Sequence, residues 1–259
     1  MGAVVTTFAF LPPDRQQAKL KEHASTVYVT SEAGDSIPIL RVGSLRSHDD
    51  LVLIYCHGNA EDLGQIRLLL QDLADRLNLP VFGFDYPGYG TASGKPSEAG
   101  CFAAAKAVWR HVRGLAPSAR IILYGRSLGS GPAVHLAAGG ADGEERRASG
   151  LVLQSPLCSG IGTVLGKPGE VMLKHIDVMR NIDLMASVRC PVCIIHGTDD
   201  GVVPVSHGRR LDAIARRHAV WTHEPLWLQG YGHNNMPWDQ CANHVEDFLA
   251  VLRCTEEEG

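Results

Sequence analysis

Ile121-Ile122-Leu123-Tyr124-Gly125-Arg126-Ser127-Leu128-Gly129 is an apolar run that breaks at a serine set between two glycines. The run reads as a strand and the segment after Gly129 as a helix, so Gly125 to Gly129 is a strand-turn-helix junction of the form G-x-S-x-G. Small residues two positions either side of the serine let the backbone turn sharply without side-chain collisions. Such a turn lifts the Ser127 hydroxyl to the carboxyl edge of a sheet. It also leaves the first amides of the next helix unpaired, where they can face a developing negative charge. The pentapeptide alone occurs by chance in many chains. Its flanks give it weight against the plainer reading of a glycine-rich turn whose serine only caps a helix.

The same alternation extends in both directions. Upstream, Thr26 to Thr30 and Ile37 to Val42 read as a short hairpin turning at Glu32-Ala33-Gly34-Asp35. Leu51 to Cys56 is a continuous apolar run, the pattern of a strand covered on both faces, and Val81 to Tyr86 reads as another buried strand. Between them, Leu63, Ile66, Leu70, Leu73, Ala74 and Leu77 repeat at helical spacing. A further helix opens at Ser97, with Phe102, Ala105, Val108, Trp109 and Val112 as its core face.

Downstream of the junction, a helix is expected to about Ala138, with Pro132 tolerated in its early turns. Leu151 to Gln154, Val192 to Ile195 and Leu226 to Leu228 read as strands, and Pro204 to Arg217 and Pro237 to Leu252 as helices. The pattern predicts an α/β fold: an eight-stranded, mostly parallel sheet with helices on both faces. Residues 1–25 form an amino-terminal segment, 26–254 one catalytic domain, and 255–259 an acidic tail. Residues 158–187 mix glycines with apolar residues and lack clean periodicity, which suggests a small cap; their apolar side chains either line an acyl groove or simply pack over the sheet.

Bulk properties exclude several classes. A net charge of −4 over 259 residues offers no basic face to nucleic acid. No run approaches the roughly 18 apolar residues of a membrane span. The seven cysteines are scattered, odd in number and not preceded by a signal-peptide pattern, so a reducing, cytoplasmic setting is expected. Cys190-Pro-Val-Cys193 has no second pair to complete a zinc site, and core packing is the simpler reading. Met1-Gly2-Ala3-Val4-Val5-Thr6 matches the pattern for myristoylation of Gly2, which would allow peripheral attachment to the cytoplasmic face of membranes.

A serine hydroxyl needs a histidine to take its proton and an acid to orient that histidine. Asp199 and Asp200 follow the strand at Val192, and His233 follows the strand at Leu226 between small residues. The chain order Ser, Asp, His is that of the α/β-hydrolase fold. In the pattern G-x-x-D-x-x-V-P the acid stands three residues after the glycine, so Gly197 points to Asp200, leaving Asp199 to brace the loop. His57 and His196 also follow strands, but each precedes a glycine, a pattern that positions a loop. His111, His135, His175, His218 and His223 read as fillers. Two amides must bind the oxyanion: that of Leu128 and that of Asn59 or Ala60. This chemistry calls for no metal and no cofactor.

Several longer strings carry a resemblance. His57-Gly58-Asn59-Ala60-Glu61-Asp62-Leu63-Gly64-Gln65, Asp85-Tyr86-Pro87-Gly88-Tyr89-Gly90, Ser93-Gly94-Lys95-Pro96-Ser97-Glu98, Ser155-Pro156-Leu157 and His196-Gly197-Thr198-Asp199-Asp200 are among them. With Pro225-Leu226-Trp227 and Gly232-His233-Asn234, the chain from Ala9 to its last helix resembles the α/β-hydrolase domain-containing protein 17 family. The resemblance implies a serine hydrolase that removes palmitoyl groups from cysteine thioesters of membrane-attached proteins, with the triad on Ser127, Asp200 and His233. Animal members carry an amino-terminal cysteine cluster that is palmitoylated. This chain has none, and a myristoylated Gly2 would stand in its place. A carboxylesterase, lipase or serine peptidase on the same fold is the alternative, and a non-catalytic scaffold a distant one. The sequence leaves the oligomeric state open.

Overall fold

The structure, a computed structural model, describes residues 10–13, 26–45, 51–140 and 147–254. Gly2, most of the amino-terminal segment and the acidic tail at 255–259 lie outside the described residues.

Strands β1 (Thr26–Thr30) and β2 (Ser36–Val42) pair antiparallel, closed by Ser31 N–H to Asp35 C=O at 2.9 Å. Strand β2 also runs antiparallel to β4 (Val81–Phe84). From there the sheet is parallel through β3 (Leu51–Cys56), β5 (Arg120–Arg126), β6 (Gly150–Gln154), β7 (Val192–Gly197) and β8 (Leu226–Leu228). The order across the sheet is β1-β2-β4-β3-β5-β6-β7-β8, so β5 and the turn after it stand near the middle.

Both faces are covered, which explains the continuous apolar runs. Leu51, Leu53 and Tyr55 of β3 enter the core beneath α1 (Leu63–Leu77) and α7 (Trp238–Cys254). The intervening Val52, Ile54 and Cys56 enter the opposite core, beneath α2 (Glu98–Leu115), α3 (Ser130–His135) and α6 (Ser206–His218). Helix α1 starts where Asp62 accepts the Gln65 N–H, and α2 where Ser97 accepts the Gly100 N–H, each at 3.0 Å. Cys190 and Cys193 are buried free thiols, and burial pushes Cys190 up to about 12, as packing rather than thiolate chemistry requires.

Four expectations differ from the structure. Strand β4 ends at Phe84, because Asp85 Oδ1 accepts the first amide of α1, Leu63 N–H, and Tyr86 donates its hydroxyl to the His57 carbonyl, each at 2.8 Å. The single helix expected after the serine is a 3₁₀ turn (Ser127–Gly129), the six-residue α3 and a wider turn (Leu136–Gly140) that breaks at Gly139, φ 99°. Helix α6 begins at Ser206 rather than Pro204, since the preceding amides of Val202 and Val203 are taken by Asp200. Residues 158–187 are largely helical: α4 (Gly160–Met172), a 3₁₀ turn, α5 (Asn181–Leu184) and a second 3₁₀ turn. Gly166, at φ 67°, interrupts α4 and blurs its periodicity. No helix among the described residues is long and apolar enough to cross a membrane.

Candidate active site

Ser127 takes φ of 53°, a left-handed conformation unusual for a side chain bearing a Cβ, and is 7% exposed. The turn closes so tightly that a Cβ on Gly129 would lie 2.0 Å from the Cys56 carbonyl oxygen, and one on Gly125 would lie 2.7 Å from the Gly129 carbonyl oxygen. The two glycines are therefore required by contact and not by dihedral freedom: Gly129 sits at φ −62° and neither takes a positive φ.

The structure brings Ser127, His233 and Asp200 together. His233 Nε2 lies 3.0 Å from Ser127 Oγ, and His233 Nδ1 lies 2.7 Å from Asp200 Oδ2. Asp200 Oδ1 accepts the backbone N–H groups of Val202 and Val203 at 2.9 and 2.7 Å. Burial works against charge on this carboxyl, but hydrogen bonds from His196, His233 and Val203 outweigh it and hold the group well below the usual carboxylate range. An ionised Asp200 makes Nδ1 of His233 the donor, leaving Nε2 to accept from the serine hydroxyl. Asp199 is exposed; its carboxylate accepts from Thr198 Oγ1 at 3.0 Å and its N–H donates to Tyr231 C=O at 2.9 Å. The two aspartates are thus separated into one that faces the histidine and one that braces its loop.

The oxyanion candidates are also separated. Leu128 is the second residue of the 3₁₀ turn, where a backbone N–H has no intrahelical acceptor. Asn59 and Leu128 share with Ser127 the wall of a cavity of about 160 Å3, whose other walls include Leu157, Val178, Met179 and Val203. Ala60 is exposed and its N–H turns to Asn59 Oδ1 at 3.2 Å, whereas Asn59 lines the cavity beside the serine. The Asn59 side chain is itself anchored, accepting from Leu11 N–H at 2.8 Å and Tyr89 OH at 2.7 Å.

Three further residues support these groups: His196, from the loop-positioning place before a glycine, and Glu61 and Arg126, which were not expected to. His196 Nε2 donates to the Val203 carbonyl at 2.8 Å and stands 3.3 Å from Asp200 Oδ2, so a second imidazole braces the acid from behind. Glu61 accepts the Gly58 N–H at 2.8 Å with one carboxylate oxygen and pairs with Arg126 through the other. Arg126 in turn donates to Asn234 Oδ1 at 2.8 Å. This chain of contacts ties the loop after β3, the serine turn and the histidine loop into one frame. His57, fully buried, donates Nδ1–H to Gly58 C=O at 2.8 Å and packs 4.3 Å from the Tyr86 ring, holding its loop as its position before a glycine suggested.

Comparison with known proteins gives the chain's family and fold. A family model described as serine aminopeptidase, S33, matches residues 47–179. Alpha/beta hydrolase domain-containing protein 17B of Homo sapiens is 33% identical over 96% of this chain and 91% of its own length. The Xenopus laevis protein of the same name has the same identity and coverage. The chain belongs to the alpha/beta hydrolase domain-containing protein 17 family. Protein 17C of Mus musculus is 38% identical over 76% of the chain. Among solved structures, a Pyrococcus furiosus esterase, Pf2001, superposes with a TM-score of 0.70 at 16% identity, covering 94% of this chain and 98% of its own. Est1E of Butyrivibrio proteoclasticus, solved with ferulic acid bound, superposes with a TM-score of 0.71 at 14% identity, covering 88% and 99%. These structures establish that the protein 17 family chain has the α/β-hydrolase fold. It is an alpha/beta hydrolase whose best-formed reactive constellation is Ser127 with His233 and Asp200.

Proposed function

We propose that the protein is a serine hydrolase of acyl thioesters that removes palmitoyl groups from S-acylated, membrane-attached proteins. The observation that carries this reading is the continuous hydrogen-bonded line from Ser127 Oγ through His233 to Asp200, opening onto an apolar cavity beside Ser127. Ser127 Oγ attacks the thioester carbonyl carbon as His233 Nε2 takes its proton. The carbonyl oxygen becomes an oxyanion that accepts from the Leu128 and Asn59 amides, and Asp200 stabilises the imidazolium. Collapse of the tetrahedral species breaks the carbon–sulfur bond, and His233 returns the proton to the leaving sulfur. Water then attacks the acyl-enzyme with His233 again as base, releasing the fatty acid and restoring Ser127. Every step uses side chains and amides of this chain.

A second reading, a carboxylesterase of short acyl groups, is favoured by the size of the cavity. At about 160 Å3 it lies below the roughly 300 Å3 at which drug-sized ligands are accommodated. The fold shared with the Pyrococcus furiosus esterase is compatible with this reading. Hydrolysis of a palmitoyl-cysteine peptide, a short-chain ester and an aminoacyl amide, with wild type and Ser127→Ala, separates these. Preference for the thioester, lost in Ser127→Ala, is the expected outcome. Ester cleavage with no thioester cleavage would replace the depalmitoylase with the carboxylesterase, and amide cleavage would replace both with a peptidase.

A further inference from the structure

A second cavity of about 220 Å3 adjoins the histidine rather than the serine; its walls include His233, Gln154, Arg126, Glu61, Asn234 and Trp238. Its position has a mechanistic meaning. The general acid of acyl transfer gives its proton to the departing atom, so the leaving group must stand on the histidine's side of the reacting carbon. The cavity at Ser127, Leu128 and Asn59 therefore serves the acyl chain, and the cavity at His233 the group that leaves.

The walls indicate what that group is. Gln154 is the last residue of β6 and only 7% exposed. Its Oε1 accepts from the buried Tyr124 hydroxyl at 2.7 Å, which fixes the orientation of the amide and turns Nε2, with its two N–H groups, to the cavity. Among the described residues no protein acceptor meets that nitrogen. Nε2 is not among the buried unpartnered atoms, so its N–H groups keep access to the open cavity and are available to a ligand that accepts from them. The Arg126 guanidinium is braced by Glu61 and Asn234, and Gln154 adds a neutral donor to the wall. The charges of Arg126 and Glu61 cancel across the cavity, so the walls favour neither an anionic nor a cationic ligand. A neutral carbonyl oxygen with apolar atoms to lie along Trp238 meets all of these conditions.

We propose that this cavity is a leaving-group subsite which accepts a peptide backbone carbonyl of the S-acylated chain, with Gln154 Nε2 as the donor that selects it. The proposal rests on the hydrolase reading above and adds the specificity for a peptide-borne thiol over a simple one. The acyl group plays no part in the selection, so the test holds it constant.

The experiment compares two thioesters with the same butyryl group, one on the cysteine of an N-acetylated, C-amidated tripeptide and one on ethanethiol, following thiol release. The expected result is a kcat/KM ratio of roughly three- to tenfold in favour of the peptide, the discrimination one ordinary hydrogen bond supports. In Gln154→Glu, which keeps an oxygen for the Tyr124 hydroxyl but removes the donor, the ratio falls to near one. A measurement on the wild type alone covers the case in which that variant does not fold: the free tripeptide with its thiol methylated inhibits competitively, while ethyl methyl sulfide does not. A wild-type ratio near one, a ratio unchanged in Gln154→Glu, or equal inhibition by the two sulfides overturns the subsite and leaves the hydrolase intact. Cleavage of neither thioester by the wild type overturns both.

Discussion

Arg126 occupies the variable second position of the serine pentapeptide, and nothing local marks it as important. Its partners, Glu61 and Asn234, lie 65 and 108 residues away, so their meeting is a product of the sheet order alone. Because the guanidinium joins three loops, Arg126→Leu should lower kcat/KM by up to about 100-fold, the cost of small misplacements of reacting groups. Glu61→Leu should cost a similar factor, and the double variant little more than either, since both remove one bridge. Losses that multiply in kinetic assays of the two singles and the double would refute the bridge. A graded series is expected behind the histidine. Asp200→Asn leaves His233 in the wrong tautomer and should cost on the order of 10⁴ in kcat, as removal of a triad carboxylate does elsewhere. His196→Phe removes only one donor to that carboxylate and should cost about tenfold. Equal losses in the two variants would mean that His196 acts on the chemistry by another route. Ser127, Asp200 and His233 were legible because each sits in a short string of fixed spacing after a strand. His196 was legible as a loop-positioning residue but not as a brace on Asp200, and the supporting Glu61, Arg126 and Gln154 were not legible, because contacts among distant loops leave no periodic trace.

Element boundaries follow the same division. Helix α1 was readable to its ends because Asp62 caps it and six apolar residues at helical spacing all face one core. The helix end read near Ala138 falls where Gly139 breaks the chain at positive φ, whereas the segment 158–187 was misread in detail because Gly166, also at positive φ, cuts a helix that periodicity alone cannot end. Glycines also give opposite predictions within neighbouring elements. Gly129→Ala drives a Cβ to 2.0 Å from the Cys56 carbonyl oxygen and should abolish activity and lower the melting temperature sharply. Gly114, near the end of α2 with nothing within 4 Å of a Cβ, should tolerate alanine and gain about 0.5–1 kcal/mol. Chemical denaturation of both variants distinguishes contact from conformational entropy. The packing of α3 on α2 carries a pH dependence. His135 stacks on Phe102 at 4.1 Å, and desolvation, then the charge of Lys106, lower its pKa to about 4 from the ordinary 6.5. As pH falls, the unfolded chain takes up this proton first, so the contribution to stability is complete above about 6.5 and erodes between there and about 4. The urea midpoint of His135→Leu should change less than that of the wild type over this window. Parallel curves would show that the imidazole charges freely in the folded protein.

At the scale of the whole molecule, under the proposed acyl-hydrolase reading, the cap and the sheet edge together would decide which acyl chains react. Helix α4 begins in the wall of the acyl cavity, at Gly160 and Thr163, and ends at Val171 and Met172, which are 69% and 78% exposed. Apolar side chains so exposed at the end of a helix that starts in a binding cavity offer a path outward for a chain longer than the cavity holds. The first carbons of a palmitoyl group would lie among Leu157, Val178 and Met179, and the remainder along α4. A butyryl group would be contained entirely within the 160 Å3 cavity and would never meet Val171 or Met172. The double variant Val171→Ser, Met172→Ser should therefore raise KM for a palmitoyl-cysteine peptide by about tenfold, since burying apolar surface at about 25 cal/mol per Å2 makes two such contacts worth a kcal/mol or more. The KM for the butyryl peptide should stay within twofold of wild type. Because the two substrates share the same leaving peptide, a common shift in both would indicate a disturbed cap rather than a lost contact with the chain. If neither KM moves, the long chain leaves the cavity by another route, and the exposed end of α4 has no part in binding it.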